Sequence, residues 1–289
     1  MISAKDLIVK PISGADASRI IKALHYSGKV VNNSQIHLGV FLNGKCGGAM
    51  QFGPSLDKRK IQGLVRGTLW NEFVELNRMA FADWLPRNGE SRCIGYAMRW
   101  IRKTYPWIKW VVSFADGAQC GDGTIYRASG FLLTGIRVNT SLWSGPDGGV
   151  NDDATVKKNP QRPMVFSRTS LTDGRSKQQQ QQAMKIVSRT TVPKGNHAAS
   201  AGGGASMKPY KDAGFKPIPG FQLRYIFLLK PELKASLTVD SLPFSEISRL
   251  GAGMYLGKPK RAASETVDTP PDQGGKGGSI PTAALHSNG

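Results

Sequence analysis

One carboxylate in the middle of the chain is the strongest candidate for chemistry. Asp116 comes just after Trp110–Phe114, a nearly continuous apolar run typical of a strand buried on both faces. A carboxylate at the carboxyl end of such a strand lies where open α/β sheets bind ligands, and its burial is unfavourable unless it is paired, binds a metal or reacts. We therefore predict that Asp116 acts as a general base. The alternative is that it caps the turn at Gly117 and Ala118.

Arg78 is the second candidate, and its chemistry is anion binding rather than proton transfer. It lies in the stretch Phe73–Phe81, whose apolar pattern predicts a strand. Alternation with a period of two puts Glu75 and Asn77 on one face of this strand and Arg78 on the other. Because a buried guanidinium is costly without a partner, we expect Arg78 to pair with a carboxylate or to face an anion such as phosphate.

The tripeptide His25-Tyr26-Ser27 follows the first predicted helix. An imidazole at a helix end can serve as a general base or, when neutral, as a metal ligand. Asp116 or another carboxylate would then be its partner on a metal such as iron, since the sequence has no paired-histidine spacing. The alternative is an ordinary helix end. Cys120 would need a lowered pKa to act as a nucleophile, and we rank it below Asp116.

The elements that must hold these residues follow one another between residues 72 and 135. Apolar residues recur at spacings of three and four over Ile94–Tyr105, which predicts an amphipathic helix that is capped at Ser91 and stops before Pro106. A short helix over Gly123–Ser129 leads into another strand. The order strand, helix, strand, helix, strand predicts an α/β fold.

The rest of the chain divides into ordered flanks and looser segments. Asn43-Gly44 between two apolar runs is a strong hairpin signal. Residues 139–217 are rich in Gly, Pro, Ser and basic residues, and we predict a basic, loop-rich insertion there with one polar helix in residues 170–189. We assign residues 1–258 to one catalytic domain and predict that the tail, residues 259–289, is disordered.

Composition points to a polyanionic partner. The chain has 289 residues and a formal net charge of +19, with a pI near 10.0. Such an excess favours nucleic acid first and an acidic membrane surface second, while no apolar run is long enough to span a bilayer. The chain has three scattered cysteines, and its N-terminus lacks the apolar core of a signal peptide. We therefore expect a reducing, cytoplasmic setting.

The basic residues expected to meet DNA form two groups. The first lies in residues 54–71 (the basic loop), and the second lies in the predicted insertion. We predict DNA contacts at Lys58, Arg59, Lys60, Arg66, Trp70, Lys157, Lys158, Arg162 and Arg168.

The order of elements resembles the core of the GNAT acetyltransferase fold, and Ile125–Phe131 (IYRASGF) is similar to the signature of its later helix. The resemblance implies a mixed central sheet flanked by helices, an acyl-CoA such as acetyl-CoA as group donor, and Tyr126 as general acid to the leaving group. It also implies cofactor contacts from the loop before the long helix, at Arg87, Asn88, Gly89 and Ser91. This loop keeps only the central glycine of the family pattern and adds the carboxylate of Glu90.

Four longer stretches resemble the phage Mom family: HYSGKVVNNSQIHLGVF, NEFVELNRMAFADWLPRN, KWVVSFADGAQCGDGTIYRASGFLLTG and GFQLRYIFLLKPEL. The resemblance covers residues 7–145 and 219–256. It implies that the chain places a carbamoylmethyl group on the exocyclic amine of adenine in double-stranded DNA, in the host bacterial cytoplasm, so that restriction enzymes no longer cut. The implied catalytic residues are His25, Tyr26, Arg78, Asp116 and Tyr126.

Modification of a base-paired amine also has a geometric requirement. The adenine must be flipped into a pocket, where Tyr26, Trp84 or Trp143 could stack on it. Two other functions stay open: a CoA-dependent N-acetyltransferase of the GNAT superfamily, and a non-catalytic basic DNA-binding protein. The sequence also leaves open whether acyl-CoA or iron serves as cofactor and whether the chain forms a homodimer.

Overall fold

The structure, a computed structural model, describes residues 2–118, 120–146, 165–172, 177–190, 206–255 and 258–259. The strands in these ranges are β1 (Ile8–Pro11), β2 (Ile36–Leu42), β3 (Lys45–Gly53), β4 (Phe73–Phe81), β5 (Trp110–Asp116), β6 (Leu132–Val138), β7 (Leu142–Ser144), β8 (Val165–Ser167), β9 (Lys216–Pro217), β10 (Phe221–Leu228), β11 (Met254–Tyr255) and β12 (Lys258–Pro259). The helices are α1 (Gly14–Leu24), α2 (Lys58–Gln62), α3 (Gly89–Thr104), α4 (Thr124–Ala128), α5 (Arg168–Thr172), α6 (Lys177–Thr190), α7 (Lys208–Asp212) and α8 (Ser245–Arg249), with 3₁₀ turns at Ala4–Asp6 and Pro231–Ser236.

The largest sheet has seven strands in the order β1-β2-β3-β4-β5-β10-β6. β4 and β5 run parallel, and every other pair of neighbours in this sheet is antiparallel. The β2–β3 hairpin turns at Asn43 and Gly44, whose φ angles of 50° and 77° are the left-handed values that a tight hairpin turn requires. Helices pack against the sheet, so the predicted α/β fold with a mixed central sheet is confirmed.

α3 covers one face of this sheet, and its apolar stripe forms the main core. Ile94, Ala97, Met98 and Ile101 are at most 1 % exposed and share one cluster with Val111 of β5. Burial of each large apolar side chain stabilises the fold by roughly 1.5–3 kcal/mol. The predicted amphipathic helix is therefore confirmed, and it fixes β4 and β5, the two strands that it connects.

The start of α3 differs from the prediction. Its N-cap is Asn88, which has a left-handed φ of 61°, a conformation that Asn adopts more readily than most residues. Ser91 lies in the first turn, where its hydroxyl donates to the carbonyl of Asn88 at 3.3 Å. The predicted cap at Ser91 is wrong because the left-handed Asn88 lets the helix begin earlier.

A β-bulge interrupts β4. Gln51 of β3 pairs with Arg78 while the next residue, Phe52, pairs with Leu76, so Asn77 is the extra residue. The bulge shifts the alternation beyond it, because Leu76 and Met79 then pack on the same face. Arg78 consequently lies on the same face as Glu75, and the period-two prediction that it points to the opposite face is wrong.

The basic loop buries more apolar surface than we predicted. Ile61, Leu64 and Val65 are at most 8 % exposed and pack against Phe73 and Trp110, on the face of the sheet opposite α3. The first part of the loop, with α2, stays at the surface. The prediction of a plain surface loop is therefore wrong for the second part of the basic loop, which anchors the loop to β4 and β5.

The described part of residues 139–217 is a small packed unit rather than a run of loops. β7 lies between β8 and β9 in a three-stranded sheet, and α5, α6 and α7 pack beside it. The unit has its own apolar core, which contains Trp143, Phe166, Leu171, Ala183, Val187, Met207, Tyr210, Ala213 and Phe215. In place of the single helix predicted for residues 170–189, the chain forms α5 and α6.

Two predictions concern residues that the structure does not describe. Apart from β12, the predicted disordered tail, residues 259–289, lies outside the described ranges, and so do residues 147–164 of the insertion. Among the described helices, none combines the length and the apolar character that crossing a bilayer requires.

Candidate active site

A cleft opens in the middle of the large sheet, between β4 and β5. The two strands pair at only three positions, where Phe73, Val74 and Glu75 face Trp110, Val111 and Val112. Beyond these pairs, β4 stays bonded to β3 as far as Phe81 and β5 stays bonded to β10 as far as Asp116. The strands therefore part toward their carboxyl ends, and this gap (the strand cleft) is where parallel strands hold ligands.

Several charged and titratable side chains lie near enough to Tyr26, at the strand cleft, to shift its pKa. Burial raises the pKa of Tyr26, and so do Cys120 and Asp116, while Arg78 lowers it and Tyr126 raises it. Burial also raises the pKa of Glu75, against the opposing effect of Arg78. His25 joins the group through its ring, whose centroid lies 4.2 Å from that of Tyr26.

The structure thus brings together all five residues that the sequence suggested for catalysis. They come from separate elements: His25 and Tyr26 follow α1, Arg78 lies in β4, Asp116 ends β5 and Tyr126 lies in α4. Their roles stay predictions.

Asp116 is held by donors on both carboxylate oxygens. The backbone N–H of Ala118 donates to Oδ1 at 3.0 Å, and the side-chain amide of Asn139 donates to Oδ2 at 3.1 Å. The first contact is the turn cap that was the alternative to a chemical role. Because each carboxylate oxygen can accept two hydrogen bonds, capping the turn does not prevent Asp116 from accepting a proton.

Asn139 is a site residue that sequence reasoning missed. Its Oδ1 accepts from the backbone N–H of Ser141 at 3.0 Å, and this contact fixes which end of the amide faces Asp116. The available signal was an Asn two residues before a Ser at the end of a predicted strand, a common side-chain-to-backbone turn. That pattern predicts a local turn and gives no hint of a partner 23 residues away.

Arg78 is anchored by backbone carbonyls. Its Nη1 donates to the carbonyl of Asn77 at 2.7 Å, and its Nε donates to the carbonyl of Lys29 at 3.3 Å. Within the described ranges, no carboxylate lies within ion-pair distance of the guanidinium. A guanidinium has five N–H donors, so those not bonded to these carbonyls can bind an anion. Burial and Arg78 together lower the pKa of Lys29, which adds a second basic group at this position.

Tyr126 is a buried phenol behind the strand cleft. Its ring packs on Tyr225 and Phe131, at centroid distances of 5.3 and 5.4 Å. Burial raises the pKa of Tyr126 to about 12, while the hydroxyl of Ser113 has a smaller, opposite effect. Ser113 approaches Tyr126 without forming a hydrogen bond of good geometry, and its hydroxyl is fully buried. The Tyr126 phenol is therefore protonated at neutral pH and can only be a proton donor there.

His25 is neutral in this conformation. The backbone N–H of Ser27 donates to its Nδ1 at 3.1 Å, and a backbone N–H cannot accept, so Nδ1 carries no proton. The ring proton is thereby assigned to Nε2. Nδ1 also lies 2.8 Å from the hydroxyl oxygen of Ser27. Ser27 therefore occupies Nδ1, the ring nitrogen that could otherwise accept a proton from a substrate.

The metal prediction finds limited support in this geometry. In the part of the chain that the structure describes, no group of three or more His, Cys, Asp or Glu side chains is close enough to hold a metal ion. A metal bound by His25 and Asp116 stays a prediction.

The loop after Asp116 is locked by its own hydrogen bonds. The thiol of Cys120 donates to the backbone carbonyl of Asp116 at 3.2 Å. Asp122 is buried and accepts from the hydroxyl of Thr124 at 3.0 Å and from Arg127 at 3.2 Å, while its own carbonyl accepts from the Tyr225 hydroxyl at 2.5 Å. These contacts hold α4, and with it Tyr126, against the sheet.

Gly123 leaves no room for a side chain in this loop. Its φ is +79°, and a Cβ there would meet the Tyr225 ring at 2.4 Å. Gly123 therefore packs on an aromatic ring of the core.

The loop before α3 has a charge balance that is unfavourable for the diphosphate of an acyl-CoA. A cavity of about 350 Å³ at this loop is lined by Asp83, Arg87, Asn88 and Glu90, among others. Two carboxylates and one guanidinium give this lining a negative balance, which repels phosphate. The N–H of Gly89 already donates to the carbonyl of Pro86 at 3.1 Å. Cofactor binding by Arg87, Asn88, Gly89 and Ser91 stays a prediction, and this charge balance disfavours it.

The first group of predicted DNA contacts forms one exposed surface. Lys58, Arg59 and Lys60 lie in α2, and the Lys58 ammonium sits 4.5 Å from the centroid of the Trp70 ring. Trp70 itself is 49 % exposed, so a cation and an aromatic face are presented together. Arg66 lies further along the loop, where its backbone N–H donates to Ser236.

The other predicted DNA contacts divide between two places. Lys157, Lys158 and Arg162 lie outside the described residues, whereas Arg168 begins α5. Of the tryptophans predicted to stack on a base, Trp84 is 44 % exposed, with the Lys45 ammonium 4.8 Å from its ring centroid, and its role stays a prediction. Trp143 is 7 % exposed in the core of the small unit, so its predicted role on a flipped base is wrong.

Comparisons with known proteins place the chain in a family. The model of the Mom protein family matches residues 6–246. The methylcarbamoylase mom of Escherichia phage Mu is 44 % identical over 138 residues, which are 47 % of this chain and 57 % of that protein. The chain thus spans 57 % of the length of that relative.

Solved structures give weaker matches. A GNAT family acetyltransferase from Streptococcus pneumoniae is 15 % identical, covering 46 % of this chain and 88 % of the other, with a TM-score of 0.32. An N-acetyltransferase from Staphylococcus aureus is 11 % identical, covering 46 % and 87 %, with a TM-score of 0.33. Scores this low add nothing to the strand order described above. The match over residues 6–246 is decisive, and the chain belongs to the Mom protein family.

Proposed function

We propose that this chain transfers a carbamoylmethyl group to the exocyclic amine of adenine in double-stranded DNA, and that the modified DNA resists host restriction. Membership of the Mom family, 44 % identity to a methylcarbamoylase and the net charge of +19 support group transfer to a polyanion. The observation that carries the proposal is the strand cleft: β4 and β5 part there, and Arg78, Asp116 and Tyr126, from three separate segments, lie within electrostatic range of Tyr26.

In this proposal Asp116 is the general base. The exocyclic amine of adenine is a weak nucleophile because its lone pair is delocalised into the ring, so it must lose a proton as the new N–C bond forms. A positioned base typically accelerates such a step by about 10²–10⁴-fold. Asp116 receives that proton while Ala118 and Asn139 keep its carboxylate in one orientation.

Tyr126 has the complementary role. The bond between the transferred carbon and its leaving group breaks as the N–C bond forms, and the leaving group takes up negative charge. Tyr126 gives it a proton, which its pKa of about 12 keeps on the phenol until a stronger base develops beside it.

Arg78 binds the anionic part of the donor or a DNA phosphate. Its two backbone contacts fix the direction of the remaining N–H donors, so the charge is already oriented before a ligand arrives. Since two carboxylates and one guanidinium line the loop before α3, Arg78 is better placed than that loop to hold an anion. Tyr26, 40 % exposed at the mouth of the strand cleft, can stack on the adenine ring.

Mass spectrometry of nucleosides tests the proposal. Plasmid DNA would be recovered from bacteria that express the wild type, Asp116→Asn, or the control Asp240→Asn, whose carboxylate is exposed and remote in sequence from the site. We expect a new adenosine with the added carbamoylmethyl mass for the wild type and the control, and its loss for Asp116→Asn. Unmodified DNA from well-expressed wild type would refute adenine modification, and acetyl transfer from acetyl-CoA to amines would then be assayed.

A further inference from the structure

Leu56 is the most exposed large apolar side chain in the described part of the chain, at 93 %. A single exposed leucine is common on protein surfaces and by itself needs no explanation. Its surroundings are less ordinary, because Leu56 lies near the start of the basic loop, directly after a residue that contacts the strand cleft and two residues before the first of three consecutive cations.

The chain is fixed on both sides of Leu56. Ser55 is 6 % exposed, and its hydroxyl donates to Oε2 of Glu75, at the base of the strand cleft, at 2.5 Å. On the other side Ile61, 8 % exposed, is packed into the core against Phe73. Leu56 is therefore held out on a short span between two anchors, and its position is set by the fold.

The surface around Leu56 is suited to a polyanion. The basic loop has four cationic residues, Lys58, Arg59, Lys60 and Arg66, and a single carboxylate, Asp57. Two more apolar side chains are exposed here, Leu69 at 66 % and Trp70 at 49 %. Cations can bind the phosphates on the outside of a duplex, and exposed apolar groups beside them can contact the stacked bases inside it.

We propose that Leu56 is a wedge that enters the DNA stack and fills the space left by the adenine that is flipped into the strand cleft. This inference rests on the proposed function. Extruding a base leaves a gap between its neighbours, and proteins that deform DNA fill such gaps with apolar side chains, leucine among them. Because consecutive Cα atoms are about 3.8 Å apart, the wedge sits within one residue of Ser55, which touches the strand cleft.

In this proposal the cations and Leu56 have different roles. Lys58, Arg59 and Lys60 hold phosphates on either side of the extruded nucleotide, and these contacts carry affinity without reading sequence. Leu56 adds little affinity, because its gain from burial offsets the unstacking of the bases that it separates. Its loss should therefore reduce base flipping more than it reduces binding.

The experiment separates flipping from binding. 2-Aminopurine, whose fluorescence rises on unstacking, would replace adenine in a duplex copied from plasmid sequence that the wild type modifies in cells. The proteins compared would be wild type, Leu56→Ala, Leu56→Phe and the control Leu250→Ala, a leucine that is 41 % exposed after α8. Fluorescence anisotropy would give DNA affinity, nucleoside mass spectrometry would give modification in cells, and thermal melting would verify that each variant folds.

We expect Leu56→Ala to bind the duplex like the wild type while its 2-aminopurine signal and its adenine modification both fall by roughly tenfold. Leu56→Phe should restore much of both, and Leu250→Ala should match the wild type. The wedge is overturned if a folded Leu56→Ala flips and modifies like the wild type, if it loses affinity as much as modification, or if the wild type modifies DNA without a fluorescence rise. A wild type that neither modifies nor binds DNA would instead refute the proposed function.

Discussion

The strand cleft and the basic loop both carry charge, but they hold it in opposite ways. In the strand cleft, Arg78 is bonded to two backbone carbonyls and Asp116 is bonded to Ala118 and Asn139. On the basic loop, Arg59 and Lys60 are exposed. A charged side chain held in one orientation suits catalysis, because it can act on one defined group. A mobile charged side chain suits DNA affinity, because it can follow a flexible polyanion.

Among the tests of this contrast, loss of a fixed charge should change the modification rate most. Arg78→Met should lower the rate of adenine modification by about 10²–10³-fold, the usual effect of losing one oriented electrostatic group. DNA affinity should fall far less than the rate, because the guanidinium would supply at most one phosphate contact among many cations. Arg102→Met, on an exposed position of α3, is the matched control. A time course of modification and an anisotropy titration measure the two quantities, and an equal fall in both would break the contrast.

Removing free charge should give the reverse pattern. Replacing Lys58, Arg59 and Lys60 by alanine should reduce the slope of log affinity against log salt by about 2.7, if each cation contacts one phosphate. The modification rate at saturating DNA should not change. A triple alanine variant at Arg99, Arg102 and Lys103 of α3 removes the same charge elsewhere and should leave the slope unaltered. The contrast fails if both triple variants lower the slope alike.

A smaller effect on the modification rate is expected for Asn139, which orients Asp116 from outside the strand cleft. Asn139→Ala should lower the modification rate by about tenfold, since a partner that orients a reactive group typically contributes 10–100-fold. Asn139→Asp is isosteric but sets a second carboxylate against Asp116, so it should lose more activity than the alanine variant. Thr140→Ala is the control. A merely structural role would predict that the isosteric variant is the milder of the two.

The smallest expected effect concerns stability. Burial raises the pKa of Glu75, and Ser55 and Arg78 only partly oppose this, so the fold disfavours its carboxylate form. The stability contributed by protonated Glu75 is present below its unfolded pKa and is lost as pH rises through its folded pKa. Glu75→Gln should therefore raise the melting temperature at about pH 7 and change it less at about pH 4. Glu232→Gln, on an exposed 3₁₀ turn, serves as the control for thermal melts.

Local patterns predicted the parts of the structure that depend on local physics. The spacing of Ile94, Ala97, Met98 and Ile101 gave α3, and Asn43-Gly44 gave the β2–β3 hairpin. The position of Asp116 at the carboxyl end of β5 was predicted because an apolar strand and its end are recognisable in the sequence. In each case the chain within a few residues determines the conformation.

The rest depends on contacts that the local sequence does not encode. The bulge at Asn77 moves Arg78 to the face of Glu75, and nothing in β4 alone shows where β3 changes register. Asn139 reaches Asp116 only because β6 and β5 are brought together through β10. Trp143 lies in a polar, glycine-rich stretch, and its burial needs Phe166 and Phe215 from distant segments.

The short ladder between β4 and β5 also has a mechanical meaning. Within the described part of the chain, three residue pairs join a plate of β1 to β4 to a plate of β5, β10 and β6. The backbone ladder across this seam is short, and side-chain packing closes it: α3 covers both strands on one face, and on the other the Phe73 ring stacks on Trp110 at a centroid distance of 4.6 Å. The basic loop rests on this seam at Phe73 and Trp110. A duplex bound to the basic loop would therefore press on the place where side-chain packing, more than backbone hydrogen bonding, joins the two plates.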